Sequence, residues 1–142
     1  MEKCEVLVER WFDRVWMSGD ADYIDKALAS NCCVTGLTPE PITSPAQFRE
    51  FHQSLSSLFK DFDIKLDHIL EEDCIFSGVV SSEVTHIPTN KRVKFKSSFF
   101  GSIKDGQMVE VTNLFDYLTI LEQIGAIPDD FVGRAMAGEA KL

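Results

Sequence analysis

Asp116 is the first residue here whose type and setting suggest chemistry. It lies in Asn113-Leu114-Phe115-Asp116-Tyr117-Leu118, among residues that favour strands. Strict two-residue alternation puts Met108, Glu110, Thr112, Leu114 and Asp116 on one face. If that face lines a cavity, the carboxyl group stands in an apolar wall, where its anion is disfavoured. Such a group serves as a base that takes a proton alpha to a carbonyl and returns it elsewhere. The competing role is structural: a cap on the helix that follows, or an ion pair with a lysine at the sheet end. His86, just before Ile87-Pro88, is the second candidate. Its imidazole suits donation to a developing enolate oxygen or a proton shuttle. The alternative is a hydrogen bond that holds a turn at the sheet rim. Glu110 and Asn113 share the strand of Asp116 but fall on opposite faces, so one of them sees the cavity unless a bulge intervenes.

Other chemistries lack their residue patterns. The three histidines are isolated, His52 and His68 have no assigned role, and no metal is expected. Cys4, Cys32, Cys33 and Cys74 form no Cys-x-x-Cys pair, and no motif sets a histidine beside any of them. They read as reduced thiols of a cytoplasmic protein, most of them small core hydrophobes. No nucleophile elbow, phosphate loop or dinucleotide fingerprint occurs, so no cofactor is expected. The balance of 14 Lys+Arg against 23 Asp+Glu gives a net charge of −9. That disfavours nucleic acid and anionic membrane surfaces as partners. The basic run Lys91-Arg92-Val93-Lys94-Phe95-Lys96 alternates like the solvated face of a strand. The opening MEKCEVLVERWFDRVW is charged throughout and reads as neither a signal peptide nor a membrane span.

The elements that must position these residues follow from periodicity. At 142 residues, 44% hydrophobic and 26% charged, the chain suits a single globular domain. Residues 3–17 form a helix with Val8, Trp11 or Phe12, Val15 and Trp16 on its apolar side. Ser18-Gly19-Asp20 stops it, and a second helix carrying Tyr23, Ile24, Ala27 and Leu28 closes at Asn31. Cys32 to Gly36 is a short strand, and Thr38 to Pro45 a proline-rich loop. Ser44-Pro45 opens a third helix that buries Phe48, Phe51, Leu55, Leu58 and Phe59. From Phe62 the period is two, through strands at about 75–87, 91–104 and 107–118. Asp105-Gly106 is a hairpin turn, and Leu118 to Ile124 a last helix stopped by Gly125. Helices followed by consecutive strands predict an α+β fold, a curved antiparallel sheet packed against N-terminal helices and enclosing a pocket. The domain spans residues 1–128, and 129–142 is a loosely ordered tail. Val93, Phe95, Phe99, Val79, Val109 and Val111 leave apolar sheet positions in need of cover, which predicts a homodimer through the sheet.

The run from Lys104 to Asp116 resembles the closing hairpin of SnoaL-like polyketide cyclases, and Leu118 to Pro128 is similar to their C-terminal signature. Trp16-Met17-Ser18-Gly19-Asp20 resembles the end of their first helix, and Val84-Thr85-His86 with Thr89-Asn90-Lys91-Arg92-Val93 their middle hairpin. The resemblance runs in one order from about Glu5 to Pro128. It implies the nuclear-transport-factor-two-like cone, related to ketosteroid isomerase and limonene epoxide hydrolase, with a cofactor-free site inside. It also implies that Asp116 matches the acid/base aspartate of an intramolecular aldol ring closure. The expected occupant is a small apolar carbonyl compound, and the expected lining includes Trp16, Phe51, Phe99, Thr112, Asn113 and Leu114. Two departures stand out. Val111-Thr112 replaces the His-Trp that most members carry, and Phe99 and Ser102 stand where many have aspartate and arginine. The site therefore has fewer polar groups than a typical member. A binding or dimerisation module without chemistry is the alternative. An epoxide hydrolase needs an Asp–Arg–Asp relay, and no arginine lies near the strand of Asp116.

Overall fold

The computed structural model describes residues 3–139. Helix α1 (Cys4–Trp11) buries Cys4, Val8 and Trp11 and runs directly into a π-helical turn over Phe12–Met17. The wider turn adds about one residue per revolution. It also frees the Val15 carbonyl, which accepts a hydrogen bond from His52 Nε2 at 2.7 Å. Helix α2 (Tyr23–Ala27) ends earlier than the sequence reading placed it, and Leu28 already opens strand β1 (Leu28–Thr35). Pairing with the last strand overrides local helical spacing here, with Leu28 opposite Met108 and Thr35 opposite Thr112. Helix α3 (Pro45–Leu58) starts as expected: Ser44 Oγ accepts from the Gln47 amide at 3.2 Å, and Gln47 Oε1 accepts from the Thr43 amide at 2.7 Å.

Four long strands follow: β2 (Phe59–Glu72), β3 (Ile75–His86), β4 (Lys91–Lys104) and β5 (Gln107–Phe115). The sheet order is β1-β5-β4-β3-β2, antiparallel from β2 to β5. The β1–β5 pair is parallel, a departure from the all-antiparallel expectation. The fold is α+β, a curved and unclosed sheet whose concave side carries the helices. The hairpins turn on residues in the left-handed region, Asn90 (φ 55°) and Asp105-Gly106 (φ 53° and 77°).

The core falls into two clusters. One gathers Val8, Val15, Ile24, Leu28, Phe48 and Phe76, and the other Val84, Val93 and Ile120. Between β3 and β4 two phenylalanines lie over glycines of the neighbouring strand. Gly78 pairs with Phe99 and Gly101 with Phe76. A Cβ on Gly78 would stand 2.7 Å from the Phe99 ring, and one on Gly101 2.5 Å from the Phe76 ring. Helix α4 (Tyr117–Gln123) packs on β4, where Gln123 Oε1 accepts from the Lys94 amide (2.8 Å) and its Nε2 donates to the Lys94 carbonyl (2.6 Å). Within the stretch read as a loose tail, Phe131–Met136 form a short helix, α5, with no buried residue.

Candidate functional site

The concave face of the sheet and the helices enclose a cavity of about 470 Å³. Its sheet wall is set by alternation. Along β3, Phe76, Val80, Ser82, Val84 and His86 all point inward, and along β4 Phe95, Ser97 and Phe99 do so. Strand β5 needs a bulge to contribute. Ser102 pairs with Glu110 but Ile103 with Met108, so Val109 has no partner and the facing of the strand reverses beyond it. Met108 points inward, and after the bulge Val111, Asn113 and Phe115 do.

This bulge corrects the strict alternation read from sequence. Thr112 and Leu114 lie on the outer face, where Leu114 is 74% exposed, and neither lines the cavity. Asn113 does line it, with its Nδ2 donating to the Thr35 carbonyl at 3.0 Å. Val111, Phe95 and Phe99 face the cavity, and Val93 is buried in the core, so these positions are already covered within one copy of the chain.

The helices supply an aromatic wall. The π turn swings Trp11, Phe12 and Trp16 all onto the cavity, so the sequence choice between Trp11 and Phe12 resolves as both. The Trp16 ring lies 6.2 Å from Phe48 and from Phe51, 5.6 Å from Phe62 and 4.8 Å from the buried His52. Trp16, Phe51, Phe99 and Asn113 of the expected lining thus come together. His52, which the sequence reading leaves without a role, is buried on the inner side of α3. Its place four residues after Phe48 was the signal that it faces inward.

The two candidate catalytic residues part company. Asp116 is exposed and caps α4: one carboxylate oxygen accepts from the Thr119 amide at 3.1 Å and the other from the Thr119 hydroxyl at 2.5 Å. It is absent from the cavity lining. His86 is 8% exposed and stands on the cavity wall, 5.2 Å from the Phe59 ring. Its Nδ1 meets Thr89 Oγ1 at 2.8 Å. His86 and Tyr117 are the titratable residues of the lining. Tyr117 donates its hydroxyl to the Leu37 carbonyl, and burial pushes its phenol upward. Exposed Leu58, Tyr117 and Leu121 mark the open rim.

A second hollow of about 460 Å³ is lined by Cys4, Arg10, Lys26, Glu71 and Cys74 among others. Met108 is the residue common to both cavities. Burial and a hydrogen bond to Glu71 push the Cys4 thiol up to about 11. Among the described residues no cluster of three or more His, Cys, Asp or Glu could hold a metal ion. No described helix is long and apolar enough to cross a membrane.

Residues 6–124 match the family model of the SnoaL-like polyketide cyclases. The chain belongs to this family. No curated protein matches its sequence. Among solved structures it is similar to IdmH, a candidate polyketide cyclase from Streptomyces antibioticus, at TM-score 0.77 and 16% identity, over 87% of this chain and 99% of that one. A candidate SnoaL-like cyclase from a Jannaschia species gives 0.77 at 17% identity, over 87% and 92%. An epoxide hydrolase from M. tuberculosis resembling limonene epoxide hydrolase gives 0.69 at 16% identity, over 90% and 93%. At such identities the likeness is one of fold.

Proposed function

We propose that this SnoaL-like protein binds a small apolar carbonyl compound in the cone cavity and moves a proton on it, with His86 as the acid/base group. The observation that carries the reading is the cavity wall. It is apolar over most of its extent and holds one imidazole, whose Nδ1 is engaged by Thr89 while Nε2 makes no hydrogen bond within the described residues. In the cyclisation that the family's description suggests, Nε2 takes a proton alpha to a carbonyl. The enolate carbon then bonds to a second carbonyl carbon of the same molecule, and the proton returns to the new alkoxide. An apolar, water-poor wall strengthens each charge–dipole contact made during that sequence.

The test uses a neutral ketone, 2-tetralone, in heavy water, with alpha-proton exchange followed by NMR. His86→Gln should slow protein-promoted exchange by roughly 10²–10⁴-fold, the usual span for general acid–base catalysis, while the ketone still binds. Asp116→Asn should leave exchange unchanged, and a loss in that variant instead would move the role to the carboxylate. A second reading, binding without chemistry, is favoured by the engagement of both Asp116 oxygens with Thr119. It is the outcome if the ketone binds and no exchange is promoted. Two copies of the chain pair through the outer sheet face, where Phe100 and Leu114 are 53% and 74% exposed on neighbouring strands. A monomer by light scattering at micromolar concentration removes that part of the reading.

A further inference from the structure

The apolar sheet wall of the cavity is interrupted by two hydroxyls. Ser82 on β3 and Ser97 on β4 both line it. Ser82 pairs with Phe95 and Val80 with Ser97, so the two serines are diagonal neighbours on the concave face. Above them sit Val84 and Val93, and below them Val80 and Phe99, all buried hydrophobes. Ser82 is 8% exposed, and neither serine side chain makes a hydrogen bond among the described residues. Among the described residues no fully buried side-chain oxygen or nitrogen lacks a partner, so the Ser82 hydroxyl opens onto the space it lines.

An unpartnered hydroxyl in an apolar wall is unfavourable unless something else satisfies it. Alanine would fill the same strand position without that penalty. Ser82 also lies away from the part of the rim marked by Leu58. Leu58, which is exposed at the rim, accepts from the Ile87 amide next to His86 (2.8 Å). Ser82 is four residues further in along β3, roughly 13 Å of strand.

We propose that Ser82 and Ser97 form a polar subsite that hydrogen-bonds a carbonyl or hydroxyl oxygen of the ligand, at a position remote from the group handled by His86. Ser82 is a specificity-determining residue in this arrangement, and Ser97 its partner across the strands. The proposal rests on the cavity being the ligand site. It adds that the occupant carries a second oxygen on its inner edge.

Two neutral probes of nearly equal shape test it: 2-acetonaphthone, which carries a carbonyl, and 2-ethylnaphthalene, which does not. Their affinities are read by quenching of tryptophan fluorescence in the wild-type protein and in the Ser82→Ala, Ser97→Ala double variant. One or two hydrogen bonds predict roughly a fivefold to thirtyfold preference for the ketone in the wild type. The double variant should lose that preference, keep its affinity for the hydrocarbon, and unfold at the same or a higher denaturant concentration. A ketone preference that survives in the variant overturns the serine subsite and leaves the cavity reading intact. A variant that unfolds more readily assigns the hydroxyls to the fold and also overturns it. If neither compound binds the wild type, the cavity reading falls and the subsite with it.

Discussion

Both oxygens of the Asp116 carboxylate meet one threonine, and this arrangement predicts what its loss does. Asp116→Ala should remove the cap of α4 and lower the unfolding free energy by about 1 kcal/mol, while affinity for a neutral ketone stays unchanged. Urea denaturation read beside ketone titration checks it. The cap signature, aspartate with threonine three residues on, is legible in the sequence, but so is an aspartate at the end of an inward-facing strand. Which of the two holds depends on the facing of β5, and that is not a local property. Cys4 carries a separate prediction. Its thiol is raised from an ordinary 9.0 to about 11, first by burial and then by Glu71. The unfolded chain therefore loses this proton before the folded one does. The contribution is intact below pH 9.0, and stability falls as pH climbs from there toward 11. The wild type should lose more in urea midpoint between about pH 8 and about pH 10.5 than Cys4→Ala does, because the variant lacks this linkage.

Among the elements, β5 decides what the cavity contains. The hairpin before it is written plainly as Asp105-Gly106, and the alternation of Phe95, Ser97 and Phe99 along β4 is equally plain. The bulge is not, since Met108 to Leu114 alternates equally well with or without an extra residue. Pairing with β4 fixes it, through Ser102 opposite Glu110 and Ile103 opposite Met108. Deleting Val109 should restore simple pairing, with Ile103–Met108 and Ser102–Glu110 as successive pairs, and leave Val111, Asn113 and Phe115 facing inward. Ketone binding retained in a protein that still unfolds cooperatively, by titration and calorimetry, is the expected result. A protein that loses binding would mean that the deletion shifts the register of β5 on β4 instead of removing the bulge. The early end of α2 has the same kind of cause. Tyr23, Ile24, Ala27 and Leu28 are spaced as in a helix, yet Leu28 is taken by a parallel pairing with a strand 80 residues later, at Met108.

At the scale of the whole molecule, the order of helices and strands was enough to place the chain in the α+β class, because three apolar helical faces and a long two-residue period leave few ways to share one core. The aromatic content of the cavity was legible as a set but not residue by residue, since wall and core use the same side chains. Trp16, Phe51 and Phe99 line the space, whereas Val93 is packed in the core. Met108 is the side chain shared by the chamber and the second hollow. It lines both spaces, and the exposed Leu58, Tyr117 and Leu121 line the chamber. Methionine is also the most pliable of the apolar side chains. Shortened to alanine at that position, the side chain would give up volume to both spaces at once, and ligands longer than the chamber should gain affinity in that variant.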